Sequence, residues 1–392
     1  MSEKKLSARN FLASETLAGK RTWIEIDKSA ARHNFRVFRR LAGQRAELWP
    51  VVKSNAYGHG IFIFSKLMQE FGADGLCVDS ALEAFALRRK GIKLPLLVLG
   101  PTLPILFKEA LAEKVAITVP SREILLALSR SRHIPKFHLK FDTGMHRQGF
   151  LPQETNWVLK YVKKHPNLAH RLCGTYSHFA FADPAGFNHT EKQYRAFCEI
   201  RDRFAANGFG KIKYHIANTG GVLLAEKYRM DLIRPGIGMY GLYPSPALKN
   251  KYARLKLKPV LAWKTRVSEV KKIPSGERVG YDLTEKISHA GALAILPVGY
   301  WHGYPRSLSS KGKIILAGRW AKVLGRVSMD LSVVDTGGLK VRPGDTAILI
   351  GKNGRMEVSA DKVAAWAGTI SYEFLTRLNP LIERVIIKRQ KK

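Results

Sequence analysis

The sequence predicts an α/β fold, an N-terminal (β/α)8 TIM barrel followed by a mainly β C-terminal domain, and three observations predict it. Eight short apolar, β-rich runs recur before residue 245 with helical sequence between them. Strands that alternate with helices are the pattern of parallel βαβ units, and eight of them close a barrel. Beyond about residue 245 the alternation gives way to strand after strand, and between the two regimes "YPSPALKNKYARLKLKP" has the Pro-containing, basic composition of a linker.

In chain order, "TWIEID" at residues 22–27 is an isolated strand that precedes the barrel pattern and fits pairing with either domain. The eight runs are "LWPVVK" from Leu48, "GLCVD" from Gly75, "LLVLG" from Leu96, "VAITV" from Val115, "FHLKFD" from Phe137, "CGTYSH" from Cys173, "YHIAN" from Tyr214 and "DLIRPG" from Asp231. Their connections carry helix signatures. Ile61, Phe64, Leu67, Met68 and Phe71 share one helical face, and "SALE" from Ser80 reads as a capping box opening a helix that stops at Gly91. The second region offers "VLAWKTRVSEVKKI", "GALAILPVGY", "GKIILAG", "AKVLGRVSMDLSVV" and "DTAILIG" as strands before a helical stretch from Asp361. The expected division is a loose polar extension over residues 1–20, a barrel over 21–245 and a β domain over 246–392.

A 45% hydrophobic composition belongs to a globular chain. Cys77, Cys173 and Cys198 are an odd set with no CxxC spacing, which speaks against a disulfide framework or zinc site and for a reducing compartment. The first twenty residues lack the apolar run of a signal peptide, and "LPLLVLGPTLPILF" from Leu94 is Pro-broken and too short to span a bilayer. A cytoplasmic protein with no membrane partner is therefore expected. The formal charge of +35 raises nucleic acid as a partner. Its basic residues are scattered along the whole chain, with no aromatic-interleaved stripe or reader motif, so a solvated basic surface is expected instead.

In a barrel, function sits at the carboxyl ends of the strands. Lys53 closes the first run, Lys140 and Asp142 the fifth with Arg147 just beyond, and His178 the sixth; Asn218 and Thr219 follow the seventh, and Arg234 closes the eighth. Singly, each has a bland explanation: a snorkelling lysine, a core histidine, a structural Lys140–Asp142 ion pair, a turn-capping arginine. Together they point into one space from independent strands. The turns "NTGGV" and "RPGIG" add a hydroxyl and glycine amides where barrels commonly hold phosphate. Phosphate there and an amine across the mouth match pyridoxal phosphate among several phosphate-ligand options.

With those residues placed, the chain resembles alanine racemase, a fold type III pyridoxal-phosphate enzyme, over residues 21–390. The resemblance rests on "VVKSNAYGHG", "HLKFDTGMHRQGF", "GTYSHFAFAD", "HIANTGGVL", "IRPGIGMYGL", "VGYD", "GRVSMD" and "TISYE", in that order. It implies racemisation of alanine with pyridoxal 5'-phosphate, supplying D-alanine for peptidoglycan, with Lys53 as Schiff-base lysine and one base. Tyr281 would be the other base, reaching the site from the partner subunit of a homodimer. Two bases suit a proton taken from one face of a flattened carbanion and returned to the other. The same resemblance gives Arg234 to the pyridine nitrogen, His178 to the ring and His215 to the arginine. Tyr57, Asn218, Thr219, Gly236, Ile237 and Tyr372 would complete the cofactor grip. Arg147 and the Met329 backbone amide would take the substrate carboxylate, and Lys140 would be a lysine open to carbamylation.

Trp301, His302, Ser328, His146 and Asp282 depart from the family's usual residues, none at a catalytic atom. They leave room for a broader amino-acid or serine racemase. A decarboxylase on the same fold lacks its cysteine motif here, and a non-catalytic cofactor carrier would resemble the barrel alone.

Overall fold

The computed structural model describes residues 19–388. It divides into two compact units, Asp27–Val260 and Leu261–Ile387 with the segment ending at Ile26. Most of the expected N-terminal extension lies outside the described residues.

Strand β1 (Thr22–Asp27) pairs antiparallel with β10 (Leu261–Arg266), Thr22 against Thr265 through Ile26 against Leu261. The chain then enters the first unit through a helix, Lys28–Ala42, whose first turn is capped by Asp27: Oδ1 accepts from Ser29 N and Ala30 N. Eight parallel strands follow: β2 (Glu47–Leu48), β3 (Leu76–Val78), β4 (Leu96–Val98), β5 (Val115–Val119), β6 (Phe137–Lys140), β7 (Leu172–Tyr176), β8 (Lys213–His215) and β9 (Leu232–Ile233). β3 to β8 form one continuous sheet in sequence order, and β2 pairs with β9. The ring closes through a Val51–Cys77 bridge on one side and bonds from Asp231 N to Tyr214 O and Arg234 N to Ala217 O on the other. The strands are nearly all buried because helices cover them outside and side chains fill them inside.

The segment expected to be a linker instead completes this unit. Pro246–Lys251 form a helix capped by Ser245, and Asn34 holds Lys258 by both backbone groups: Nδ2 donates to its carbonyl (2.8 Å), and Oδ1 accepts from its N–H (2.9 Å). Basic, Pro-containing composition marked exposed surface here, and exposed helices share it.

The second unit holds β11 (Glu269–Ile273), β12 (Arg278–Val279), β13 (Glu285–Lys286), β14 (Gly291–Leu296), β15 (Lys313–Leu316), β16 (Arg319–Leu324), β17 (Ser332–Asp335), β18 (Thr346–Asn353), β19 (Met356–Val358) and β20 (Arg384–Ile387). With β1 and β10 they make a sheet in the order β11-β14-β17-β16-β15-β18-β10-β1-β20, while β12 and β13 form a separate hairpin. Two runs that read as single strands each split, into β10 with β11 and β16 with β17; at the first break Val267 N turns aside to Asp345 O.

Scattered in sequence, many of the cations gather in the first unit. Arg130, Arg132 and Lys136 before β6, Lys163 and Lys164 before β7, and Arg203 and Lys211 before β8 are all exposed. They lie in the last turns of helices or in the connections that follow, ahead of three neighbouring strands and at the end of the barrel opposite the strands' carboxyl ends. No helix among the described residues is long and apolar enough to cross a membrane.

Candidate active site

Strand register builds the centre of the site. Lys140, Tyr176 and His215 are direct partners across β6, β7 and β8, so their side chains stand in one row. Tyr176 and His215 stack at 4.9 Å with planes 3° apart. The Arg234 guanidinium lies 4.9 Å from the Tyr176 ring centre and the Lys140 ammonium 5.5 Å from it. Arg234 is only 2% exposed and donates to His215 Nδ1, to Ser177 O (2.8 Å) and to Ile216 O (3.3 Å).

One layer deeper, His138 Nδ1 meets His215 Nε2 at 2.9 Å. Burial, reinforced by the Arg234 charge, pushes His138 down to about 3 and His215 well below the usual histidine range. Both imidazoles are neutral at physiological pH, and the positive charge stays on Arg234. Gly174, opposite His138, makes the room: a Cβ there would lie 2.6 Å from His138 Nδ1.

Lys53 follows the first barrel strand and is half-buried. The next four residues, Ser54, Asn55, Ala56 and Tyr57, all have left-handed φ of 52–54°. L-residues resist this by roughly 1–2 kcal/mol each. Offsetting bonds hold the turn: Ala56 N donates to Val52 O, Gly60 N to Asn55 O, Ile61 N to Asn55 Oδ1, and Ser54 N to Glu83 Oε1 at 2.8 Å. Lys53 Nζ pairs with Asp79 Oδ1 at 2.8 Å.

The turn delivers the Tyr57 ring onto Tyr240 (4.9 Å) and its hydroxyl against Gly236, where a Cβ would lie 2.5 Å from Oη. Desolvation pushes Tyr57 up to about 12, so it keeps its proton and can donate to an anion. Beside it Thr219 Oγ1 accepts from Gly236 N (3.0 Å) and Gly238 N (3.3 Å), and Ile237 opens the turn Ile237–Tyr240. Asn218 caps the helix Thr219–Leu224 and its Nδ2 lies 3.4 Å from His178 Nε2. Desolvation, then the charges of Arg234, Lys140, Arg147 and Lys53, hold His178 well below the usual histidine range.

Asp142 makes no ion pair with Lys140. Its carboxylate gathers the loop that carries Arg147: Oδ1 accepts from Gly144, Met145 and His146 N, and Oδ2 from Arg147 and Gln148 N. These bonds outweigh desolvation and hold it down at about 2. Lys140 Nζ reaches Gln148 Oε1 (3.3 Å), and desolvation with the Arg147 and Arg234 charges lowers it to about 8.

The family model of the alanine racemase N-terminal domain matches residues 26–244, and that of the C-terminal domain residues 260–386. The chain belongs to the alanine racemase family. It is an amino-acid racemase, with alanine racemases as relatives along nearly its full length. It is 38% identical to the alanine racemase of Carboxydothermus hydrogenoformans over 371 residues, 93% of this chain and 99% of the relative. To that of Halothermothrix orenii it is 35% identical over 373 residues, 93% and 96% of the two chains. The crystal structure of Bacillus anthracis alanine racemase with bound L-Ala-P superposes with a TM-score of 0.87 at 32% identity, covering 95% of this chain and 96% of that one.

The barrel unit of this racemase thus brings together Lys53, Tyr57, Lys140, Arg147, His178, His215, Asn218, Thr219, Arg234, Gly236 and Ile237. Tyr281, Met329 and Tyr372 belong to the other unit. Tyr281, which spacing alone reads as a buried strand aromatic, is 68% exposed on the turn between β12 and β13, where Asp282 and Leu283 have φ of 60° and 49°. Met329 is 55% exposed, and Tyr372 is half-buried in the helix Ser371–Thr376. Sequence reasoning missed Asp79, Glu83, Tyr176 and His138. Asp79 ends the run "GLCVD", so the strand-end rule that selected Lys53 applies to it equally.

Proposed function

We propose that the chain interconverts L- and D-alanine with pyridoxal 5'-phosphate by a two-base mechanism, in a cytoplasmic homodimer whose sites are shared, and supplies D-alanine for peptidoglycan. The observation that carries the cofactor reading is the Arg234 assembly: a permanent cation buried in a barrel centre against the neutral His215–His138 pair, which an ordinary core has no use for. The residues present fit the group. Lys53 offers a primary amine at the mouth, Tyr57 a retained phenol proton, and Gly236 bare backbone against that phenol.

Bound there, pyridoxal phosphate would supply an electron-withdrawing ring that makes the substrate's α-proton removable. Arg234 would take the ring nitrogen of the bound group and, because a guanidinium does not surrender its proton, would leave that nitrogen unprotonated and the ring a moderate electron sink. His215 fixes Arg234, and neutral His178 would pack against the ring without adding charge. Tyr57, Thr219, Gly236 and Ile237 would hold the phosphate, with Asn218 ordering His178.

Arg147 holds the substrate carboxylate, helped by the Met329 amide of the partner subunit. Lys140, lowered to about 8, carries enough free amine near neutrality to take up carbon dioxide as a carbamate, which turns a neighbour that repels Arg147 into one that orients it. Lys53 moves the proton on one face of the α-carbon and Tyr281 of the partner subunit on the other, for which exposure on a turn suits Tyr281.

A racemisation assay of purified protein with L- and D-alanine tests this. Lys53→Ala is expected to lose the absorbance of the lysine-bound cofactor and the activity together. Tyr281→Phe should keep the absorbance and lose conversion chiefly from L-alanine. Full activity in either variant sinks the assignment. Mixing the two variants should restore part of the activity through hybrid sites; no recovery despite proven subunit exchange would count against sharing.

A further inference from the structure

Three groups lock together behind Lys53, on the side away from Arg234's strand. Lys53 Nζ sits 2.8 Å from Asp79 Oδ1. Glu83, in the first turn of the helix Ala81–Arg89, uses both carboxylate oxygens on backbone: Oε1 accepts from Ser54 N at 2.8 Å and Oε2 from Asp79 N at 2.7 Å. In an ordinary capping box this carboxylate would return to the N–H of Ser80. Only half of that box is made, Ser80 Oγ accepting from Glu83 N at 3.2 Å. The other half is diverted, so that one anion grips the residue after Lys53 and the residue that pairs with Lys53. Gly100 fixes Asp79 from the other side, donating from N to Asp79 O at 2.9 Å, and a Cβ at Gly100 would lie 2.5 Å from that oxygen.

We propose that Asp79, set in place by Glu83 and Gly100, is a positioning residue that parks the Lys53 ammonium at the barrel rim whenever Lys53 is not holding the cofactor. The role rests on the proposed function of Lys53, which must alternate between anchoring the cofactor and acting as a free amine. A released lysine with four rotatable carbons has many ways to stray from the reacting centre. The pair is half-exposed, 37% and 51% for the two side chains, and exposed ion pairs contribute at most about 1 kcal/mol. That weakness suits a parking place, which must release the amine as readily as it takes it. A chance surface ion pair would show the same Lys53–Asp79 distance but has no need of a buttress that spans both backbones. Charge-assisted bonds from Glu83 also help hold the left-handed turn that aims Lys53.

The test reads the Lys53 amine directly. Full-length protein, stripped of cofactor, is treated with a trace of acetic anhydride, and acetylation of Lys53 is quantified by mass spectrometry against exposed Lys136 in the same sample. Freed from its carboxylate, Lys53 should be acetylated about five-fold faster in Asp79→Asn, the factor that corresponds to losing about 1 kcal/mol of pairing. Pyridoxal phosphate added to that variant should be captured faster than by the native chain, with the unfolding midpoint unchanged. Glu83→Gln should also raise Lys53 acetylation, and adding it to Asp79→Asn should raise it no further. Equal acetylation of Lys53 in native and Asp79→Asn protein overturns the proposal, and so does faster acetylation with unaltered capture. Because acetylation is read without cofactor, it is separate from the cofactor reading itself, which fails if native protein develops no lysine-bound absorbance.

Discussion

The two ends of the barrel unit are both rich in cations and use them in opposite ways. At the carboxyl ends of the strands Arg234 is buried, donates to His215 and two carbonyls, and lies over Tyr176. At the other end Arg132, Lys136, Lys164 and Arg203 are exposed to water, and Asp202, the acid in that arc, is engaged by Arg201 at 2.8 Å. The difference teaches that charge carries chemistry only where the fold removes water and supplies directed partners. In solvent the same groups are screened within about 8–10 Å at physiological salt.

The comparison breaks most sharply at Arg234. Arg234→Leu should abolish racemisation and cost about 3–5 kcal/mol of stability, because it strips a partner from His215 and from the Ser177 carbonyl inside a packed core. Urea unfolding monitored by circular dichroism measures this. Arg132→Leu, at the other end, should move the unfolding free energy by no more than about 0.5 kcal/mol and leave the rate alone. Equal losses in the two variants would erase the distinction between the ends.

Asp142 tests whether the rim depends on anions as firmly as on cations. Asp142→Asn should destabilise by about 1–3 kcal/mol, since an amide turns N–H groups toward backbone donors that the carboxylate now satisfies. It should also raise the Michaelis constant for alanine by loosening Arg147. The native chain predicts a matching acid response. With a folded value of about 2 against an ordinary 3.8, Asp142 contributes stability that is complete above about pH 4 and is lost as pH falls toward 2. Acid titration of the native chain and Asp142→Asn should therefore converge near pH 2, and parallel curves would refute the assignment.

The rim was legible in sequence where one residue type sits at a strand end. Lys53, Lys140, His178 and Arg234 were found that way, and so was the barrel itself, because alternation of apolar runs with helices is a local signal. Tyr176 was not, since its value comes from lying between Lys140 and His215 in register, and register between strands 30 or more residues apart leaves no mark in either strand. His138 carries no mark of its own in sequence, because the space it fills is made by Gly174 on the neighbouring strand. Glu83 was read correctly as a helix-start residue, but its carboxylate belongs to two other backbones. The segment 243–259 misled because exposed helix and linker have the same composition. The outer charge is the solvated surface its scatter implied, though the elements that carry residues 130–211 become neighbours only when β6, β7 and β8 lie side by side.

The smallest effect expected is at that outer arc, and it is the most direct measure of what crowding like charges does without directed partners. Lys136, Lys164 and Arg203 lie ahead of the three adjacent strands β6, β7 and β8, exposed, with few acids among them. Replacing all three by glutamate exchanges repulsion for attraction, yet each contact is made through water, so the gain should be only about 0.5–1 kcal/mol at low ionic strength. Added salt screens repulsion in the native chain and attraction in the variant. The stability difference should therefore shrink toward zero by about 1 M salt, where the screening length is about 3 Å. Racemisation should be unchanged, because no group at this end touches the row of Lys140, Tyr176 and His215. A stability gain that persists in high salt would mean that these cations have specific partners after all, and a changed rate would mean that the two ends of the barrel are coupled through its core.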